Sequence, residues 1–304
     1  MFPARMARPS PIDGLDADTP LAEAARRALA VRLLDVRTLA ERVARARDAD
    51  GVHDLRVATR RLRAAIGLFD RSKPRKLSDA RAEVKRLGDA LGRVRDLDVQ
   101  LEWLDAELAN ERPSAERAGI AALAGDRRRE LGPHEHALAA ELEHFRAEVA
   151  PRLEEELALV DGAGRFGGRP LRNRLRERLA RIETAALEAI ESPDPRTAHK
   201  LRIAVKKLRY DAELLEPAHP DEIGPILRAL VPLQETLGDL HDRDVRLDLL
   251  VRFVARCKAD ERAGAIALIA EDLRERDRLA AELQAELRSW EAERLARALR
   301  RSLK

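Results

Sequence analysis

The chain has 304 residues, of which 45% are hydrophobic, 37% charged and only 3% aromatic. Leu, Ala, Arg and Glu dominate it, all strong helix formers, whereas a β-rich fold needs far more Thr, Ile, Tyr and Phe; the fold class is all-α. A formal charge of +3 carries no argument about partners, and a lone cysteine, Cys257, excludes an intramolecular disulfide and a zinc site built on paired cysteines.

Residues 1–18 mix Pro, Arg and Asp without an apolar run, which predicts a disordered tail and no signal peptide. Thr19, just before Pro20, is the candidate N-cap of the first helix. Helical periodicity then covers 20–47, 52–70, 76–110 and 114–158, a first four-helix half spanning 19–160. The Gly-rich stretch 161–169, ending at Pro170, reads as a linker. A second half, 170–304, repeats the pattern with helices over 170–191, 195–216, 220–257 and 260–302. No stretch reaches the ~18 apolar residues of a membrane span, so a cytoplasmic location without membrane contact is expected.

The halves carry the same two motifs in one register. Val52-His-Asp-Leu-Arg-Val-Ala-Thr-Arg-Arg-Leu-Arg63 matches Ala198-His-Lys-Leu-Arg-Ile-Ala-Val-Lys-Lys-Leu-Arg209, 146 residues on. Leu91-Gly-Arg-Val-Arg-Asp-Leu-Asp-Val99 matches Leu237-Gly-Asp-Leu-His-Asp-Arg-Asp-Val245 at the same offset. Glu116-Arg-Ala-Gly119 and Glu261-Arg-Ala-Gly264 agree with a shift of one. So long a period is not a solenoid repeat; it reads as a duplicated four-helix unit.

At ~100° per residue, His53, Arg56, Arg60 and Arg63 fall within an arc of roughly 80°, opposite the apolar face of Leu55, Leu62, Ile66 and Phe69. His199, Arg202, Lys206 and Arg209 do the same in the second copy, where Asp211 stands in place of Ala65. Exposed helix faces elsewhere interleave Arg with Glu and Asp, as i,i+4 pairing favours. Here Ala198–Tyr210 has no acidic residue and Val52–Arg63 only Asp54. Val57 and Leu68, like Ile203 and Leu214, flank the stripes on the far side, which predicts a groove between helices. A basic stripe in a groove calls for an anionic guest, and a histidine becomes a cationic donor when phosphate approaches. Arg61 and Lys207 lie off the arc; Lys85, Arg93 and Arg228 are further candidate cations. Gly92 and Gly238 are read as close-packing positions, and Asp96 and Asp242 either orient stripe cations or form structural ion pairs.

His-x-x-Arg-x-x-x-(Arg/Lys)-(Arg/Lys)-Leu-Arg, followed each time by Leu-Gly-x-x-x-Asp-x-Asp-Val, resembles the CHAD domain, the conserved-histidine α-helical domain, over about residues 20–302. The resemblance implies two four-helix bundles related by a pseudo-twofold axis. It also implies non-catalytic binding of inorganic polyphosphate in a basic central cavity, and a location at polyphosphate granules. The implied contacts are His53, Arg56, Arg60, Arg61 and Arg63, with His199, Arg202, Lys206, Lys207 and Arg209. The first copy departs from an all-basic pattern at Asp54, where the second has Lys200. No cofactor or metal is implied, and the Glu-x-Glu-x-Lys of the triphosphate tunnel domain that accompanies many relatives does not occur. Single-stranded nucleic acid is the alternative guest, although stacking platforms are missing apart from Tyr210. A metal-dependent phosphohydrolase is a third reading, weakened by the lack of an acidic triad beside either histidine.

Overall fold

The computed structural model of the chain describes residues 9–69 and 76–289, and they are overwhelmingly helical. In chain order the helices are α1 (Leu21–Arg45), α2 (Ala49–Phe69), α3 (Lys76–Ala109), α4 (Ser114–His144), α5 (Ala150–Ala158), α6 (Arg169–Glu191), α7 (Pro195–Leu215), α8 (Pro220–Val254) and α9 (Arg262–Ser289). A π turn at Phe145–Val149 joins α4 to α5, which together make the long helix read over 114–158. No strand occurs among the described residues, so the all-α class holds. The expected helical stretch beyond Ser289, and the start of the expected tail, lie outside them.

Contacts gather the chain into two compact units. One comprises Met1–Val99, Arg128–Leu171 and Pro217–His219; the other comprises Gln100–Arg127, Arg172–Glu216 and Pro220–Lys304. α3 and α4 are therefore each divided between the units.

In the first unit α1 packs on α2 and α5. Leu29, Leu33 and Val36 of α1 and Leu55, Leu62, Ile66 and Phe69 of α2 are buried, each contributing about 1.5–3 kcal/mol by leaving water. Thr19 does not cap α1. Its hydroxyl donates to Asp16 and accepts from the Asp16 amide, while Pro20 holds the N-cap position without a side-chain bond. The first helical amide, on Leu21, donates instead to the Gly164 carbonyl at 2.9 Å. The stretch expected as a linker is thus docked: Phe166 and Gly167 donate to the carbonyls of Thr19 and Ala17, and the fully buried Phe166 ring lies 6.5 Å from that of Phe69. Gly164 takes φ +108°, a conformation that needs glycine. Part of the stretch expected as a tail is also held, since Leu15 is buried and Arg32 donates to the Ser10 carbonyl.

In the second unit α8 packs on α7 and α9. Trp103, Leu104, Leu123, Leu250, Phe253 and Leu268 form one apolar cluster. Above it α4 and α9 cross backbone to backbone at the two Glu-Arg-Ala-Gly segments. A Cβ on Gly119 would stand 2.2 Å from the Glu261 carbonyl oxygen, and one on Gly264 would stand 2.1 Å from that of Glu116. Asp211, where the second copy departs from the first, is buried and accepts from Arg174 and Arg178 of α6 at 3.0 and 2.8 Å. That substitution therefore ties α7 to α6 and takes no part in the basic stripe.

Candidate functional site

Each stripe begins one turn inside a firmly started helix. Asp48 accepts from the Gly51 amide at the head of α2, and this bond holds its carboxyl below the ordinary range. Asp194 and Thr197 form a reciprocal capping box at the head of α7, with Pro195 in the first turn. The apolar face of α2 or α7 then turns inward, and 3.6 residues per turn bring the basic residues onto the opposite side.

In the first unit the stripe of α2 faces α3. Arg56 donates to Asp96 at 2.7 Å, with its guanidinium against Gly92; Arg63 reaches over Gly88, one turn earlier on α3. The role of Gly92 differs from the one read in the sequence. The space where a Cβ would stand is bounded by the Arg56 guanidinium at 3.5 Å, so the glycine seats a stripe cation and not a helix backbone. His53, Arg56, Arg60 and Arg63 are all half-buried, and Val57 and Leu68 beside them are buried, so the row lies in a furrow. Burial and the nearby charges of Arg95, Arg60 and Arg56 push the His53 imidazole below its ordinary pKa, against the opposing pull of Asp54. Its Nε2 is buried and meets no hydrogen-bond partner among the described residues; the same holds for Nε of Arg63. Asp54 lies 3.8 Å from Arg42 of α1, so the acidic departure in this copy has a cation of its own.

In the second unit α7 faces α8 in the corresponding way. Arg209 donates to Gln234 of α8 at 2.9 Å and to Glu213 at 2.8 Å. Gln234 occupies the sequence position equivalent to Gly88. Gly238, equivalent to Gly92, has nothing within 4 Å of a Cβ and so does not support close helix approach. Asp242 is reached by water yet crowded by protein. That crowding pushes its carboxyl up, against the pull of Arg202, Arg246 and Lys206. Arg202 and Lys206 are half-buried; His199 and Lys207 are exposed. The His199 ring stands 5.2 Å from that of His241 on α8.

The off-arc candidates fare unevenly. Arg61 is only 7% exposed, which leaves little of it for a dissolved anion. Lys85 is exposed and paired with Asp89 at 2.6 Å, and Arg93 is exposed on α3. Arg228 is exposed and folds back over Gly224, one turn earlier on α8 and beside Glu216. Sequence reading passed over Arg95 and His241 as anion-binding candidates. Both stand on the neighbouring helix, where the periodicity of the stripe gives no signal. No group of three or more His, Cys, Asp or Glu suited to a metal occurs among the described residues. What the furrows offer is a row of cationic donors, in the first unit around an imidazole whose buried Nε2 meets no hydrogen-bond partner among the described residues.

No curated protein matches the chain. Among solved structures it is similar to the crystal structure of the CHAD domain from the plant Ricinus communis, at 23% identity and a TM-score of 0.61, covering 98% of this chain and 96% of that one. It is also similar to PptA from Streptomyces chartreusis, at 18% identity and a TM-score of 0.63, covering 89% of this chain and all of that one. At such identities these likenesses speak to the fold. The sequence profile of the CHAD domain matches residues 27–251, and the chain belongs to the CHAD domain family.

Proposed function

We propose that the protein binds inorganic polyphosphate, without turning it over, along the two basic furrows. The observation that carries this reading is the first furrow. There His53, pushed below its ordinary pKa by burial and by the charges of Arg95, Arg60 and Arg56, presents a buried nitrogen that meets no hydrogen-bond partner among the described residues. Such a cluster repels itself until an anion enters, and a linear chain with about one charge per unit can follow cations set one helical turn apart. Guanidinium groups supply paired donors to the phosphate oxygens, while the helix framework stays in place.

Titration calorimetry with long-chain polyphosphate tests it, run against single-stranded DNA of matched charge. We expect polyphosphate to bind more tightly, because the two motif segments, 52–63 and 198–210, contain no Phe or Trp and only Tyr210, and so offer no stacking series for bases. Replacing Arg60 and Lys206 together by Glu is expected to weaken binding by about tenfold or more with helicity retained, since two attractive charges become repulsive. Unchanged affinity in that folded variant would remove the furrows as the site; tighter binding of DNA would favour nucleic acid as the guest. Phosphate release in the presence of divalent metal would overturn the non-catalytic part of the proposal.

A further inference from the structure

In the first unit Arg95 of α3 stands close enough to His53 for its charge to act on the imidazole. The equivalent place in the second repeat, 146 residues on, is His241 of α8, and its ring lies against His199 at 5.2 Å with a tilt of 42°. Both units thus set a nitrogen base of the neighbouring helix against the histidine that opens the stripe. The guanidinium is cationic at every accessible pH, whereas the imidazole carries charge only when protonated.

Three helices bring charged or titratable groups to this part of the second unit. α7 presents His199, Arg202 and Lys206, the last two within range of the neighbouring Asp242. α8 itself adds Asp239 and Asp242. α9, the other helix packed on α8, presents Asp272 and Arg276, which pair with Arg243 and Asp244. Two protonated imidazoles this close repel each other and the cations of α7. An anion lying against both rings relieves that repulsion, so protonation and anion binding favour each other.

We propose that His241 is a polyanion-binding residue of the second stripe, closing it from α8 as Arg95 closes the first, with its charge supplied by a proton taken from solvent as the anion binds. The inference rests on the polyphosphate reading above. It gives the two furrows different pH behaviour at one position.

The test is calorimetry with long-chain polyphosphate at pH 7.5 and pH 5.5 and one low salt concentration, on the full chain and on His241→Arg and His241→Ala. Each titration is run in two buffers of different ionisation enthalpy, so that proton uptake is counted. His53 and His199 are common to all three proteins, so the differences isolate His241. We expect His241→Arg to bind about three- to fivefold more tightly than the parent at pH 7.5 and to take up fewer protons, since one charge is already in place. His241→Ala should take up fewer protons than the parent and bind more weakly at both pH values, with the larger deficit at pH 5.5. Identical pH dependence and proton uptake in all three, with helicity unchanged, would overturn the role of His241 while leaving polyphosphate binding intact. Absence of binding by the parent at either pH would overturn the polyphosphate reading as well.

Discussion

Arg56 and His53 occupy successive turns of one stripe and are balanced differently. Arg56 has a carboxylate partner, Asp96, whose side chain is 58% exposed, so an anion arriving from water competes for a guanidinium that is already oriented. His53 has no such partner among the described residues, and burial and three neighbouring arginines disfavour its charged form. The folded protein therefore holds less proton on His53 than the unfolded chain does. His53 contributes full stability above about pH 6.5, its ordinary pKa, and loses it as pH falls toward the depressed value in the fold. We expect urea unfolding at pH 7.5 and pH 5.5 to show a larger acid loss for the parent than for His53→Gln, which keeps a polar side chain but cannot titrate; equal losses would show that the cluster does not strain the imidazole. The stripe itself was legible because a helix writes one face at a spacing of three and four residues. Arg95 and His241 were not, because facing positions on a second helix leave no period in the first.

Element boundaries were largely legible, since capping residues and breakers act locally. Asp194-Pro195 starts α7 where the sequence places it, whereas α2 begins at Ala49, three residues before the expected start, beside Asp48, which accepts from the Gly51 amide. Thr19 misled because its hydroxyl is taken by Asp16, a local competitor that capping rules do not weigh. Glycines were harder still, for a glycine states that space is needed and not what fills it. Gly92 makes room for a guanidinium, whereas Gly119 and Gly264, noticed only as part of a repeat, let two backbones touch. Gly119→Ala would put a methyl group 2.2 Å from the Glu261 carbonyl oxygen, which cannot move without parting α4 from α9. A loss of about 1–3 kcal/mol or more in urea unfolding is expected, larger than the gain of up to ~1 kcal/mol that Ala brings to an open helix position. Gly132→Ala serves as the contrast, because nothing lies within 4 Å of its Cβ position, and that change should stabilise. If both substitutions behave alike, the crossing is not as tight as its geometry states.

A charge of +3 spread over 304 residues gives the whole molecule little long-range attraction for a polyanion. Many arginines among the described residues are paired with carboxylates where they stand, as Arg112 is with Glu107 and Glu271, whose bonds raise its pKa, or Arg276 with Asp244. Binding then has to come from a few cations held in furrows, and counterion release should report how many. The slope of log affinity against log salt measures the phosphates neutralised, at about 0.7 per contact for a single-stranded chain. Arg60→Glu and Arg45→Glu change the net charge equally, yet Arg60 lies in the first furrow and Arg45 is an 81%-exposed side chain paired with Glu41 at the end of α1. Affinity measured across a salt series should lose about one contact from its slope in Arg60→Glu and nothing in Arg45→Glu. Equal slopes would mean that the average field of the molecule draws the anion. A difference between them would place the attraction in the furrow, where the alternation of apolar and basic faces along α2 puts it.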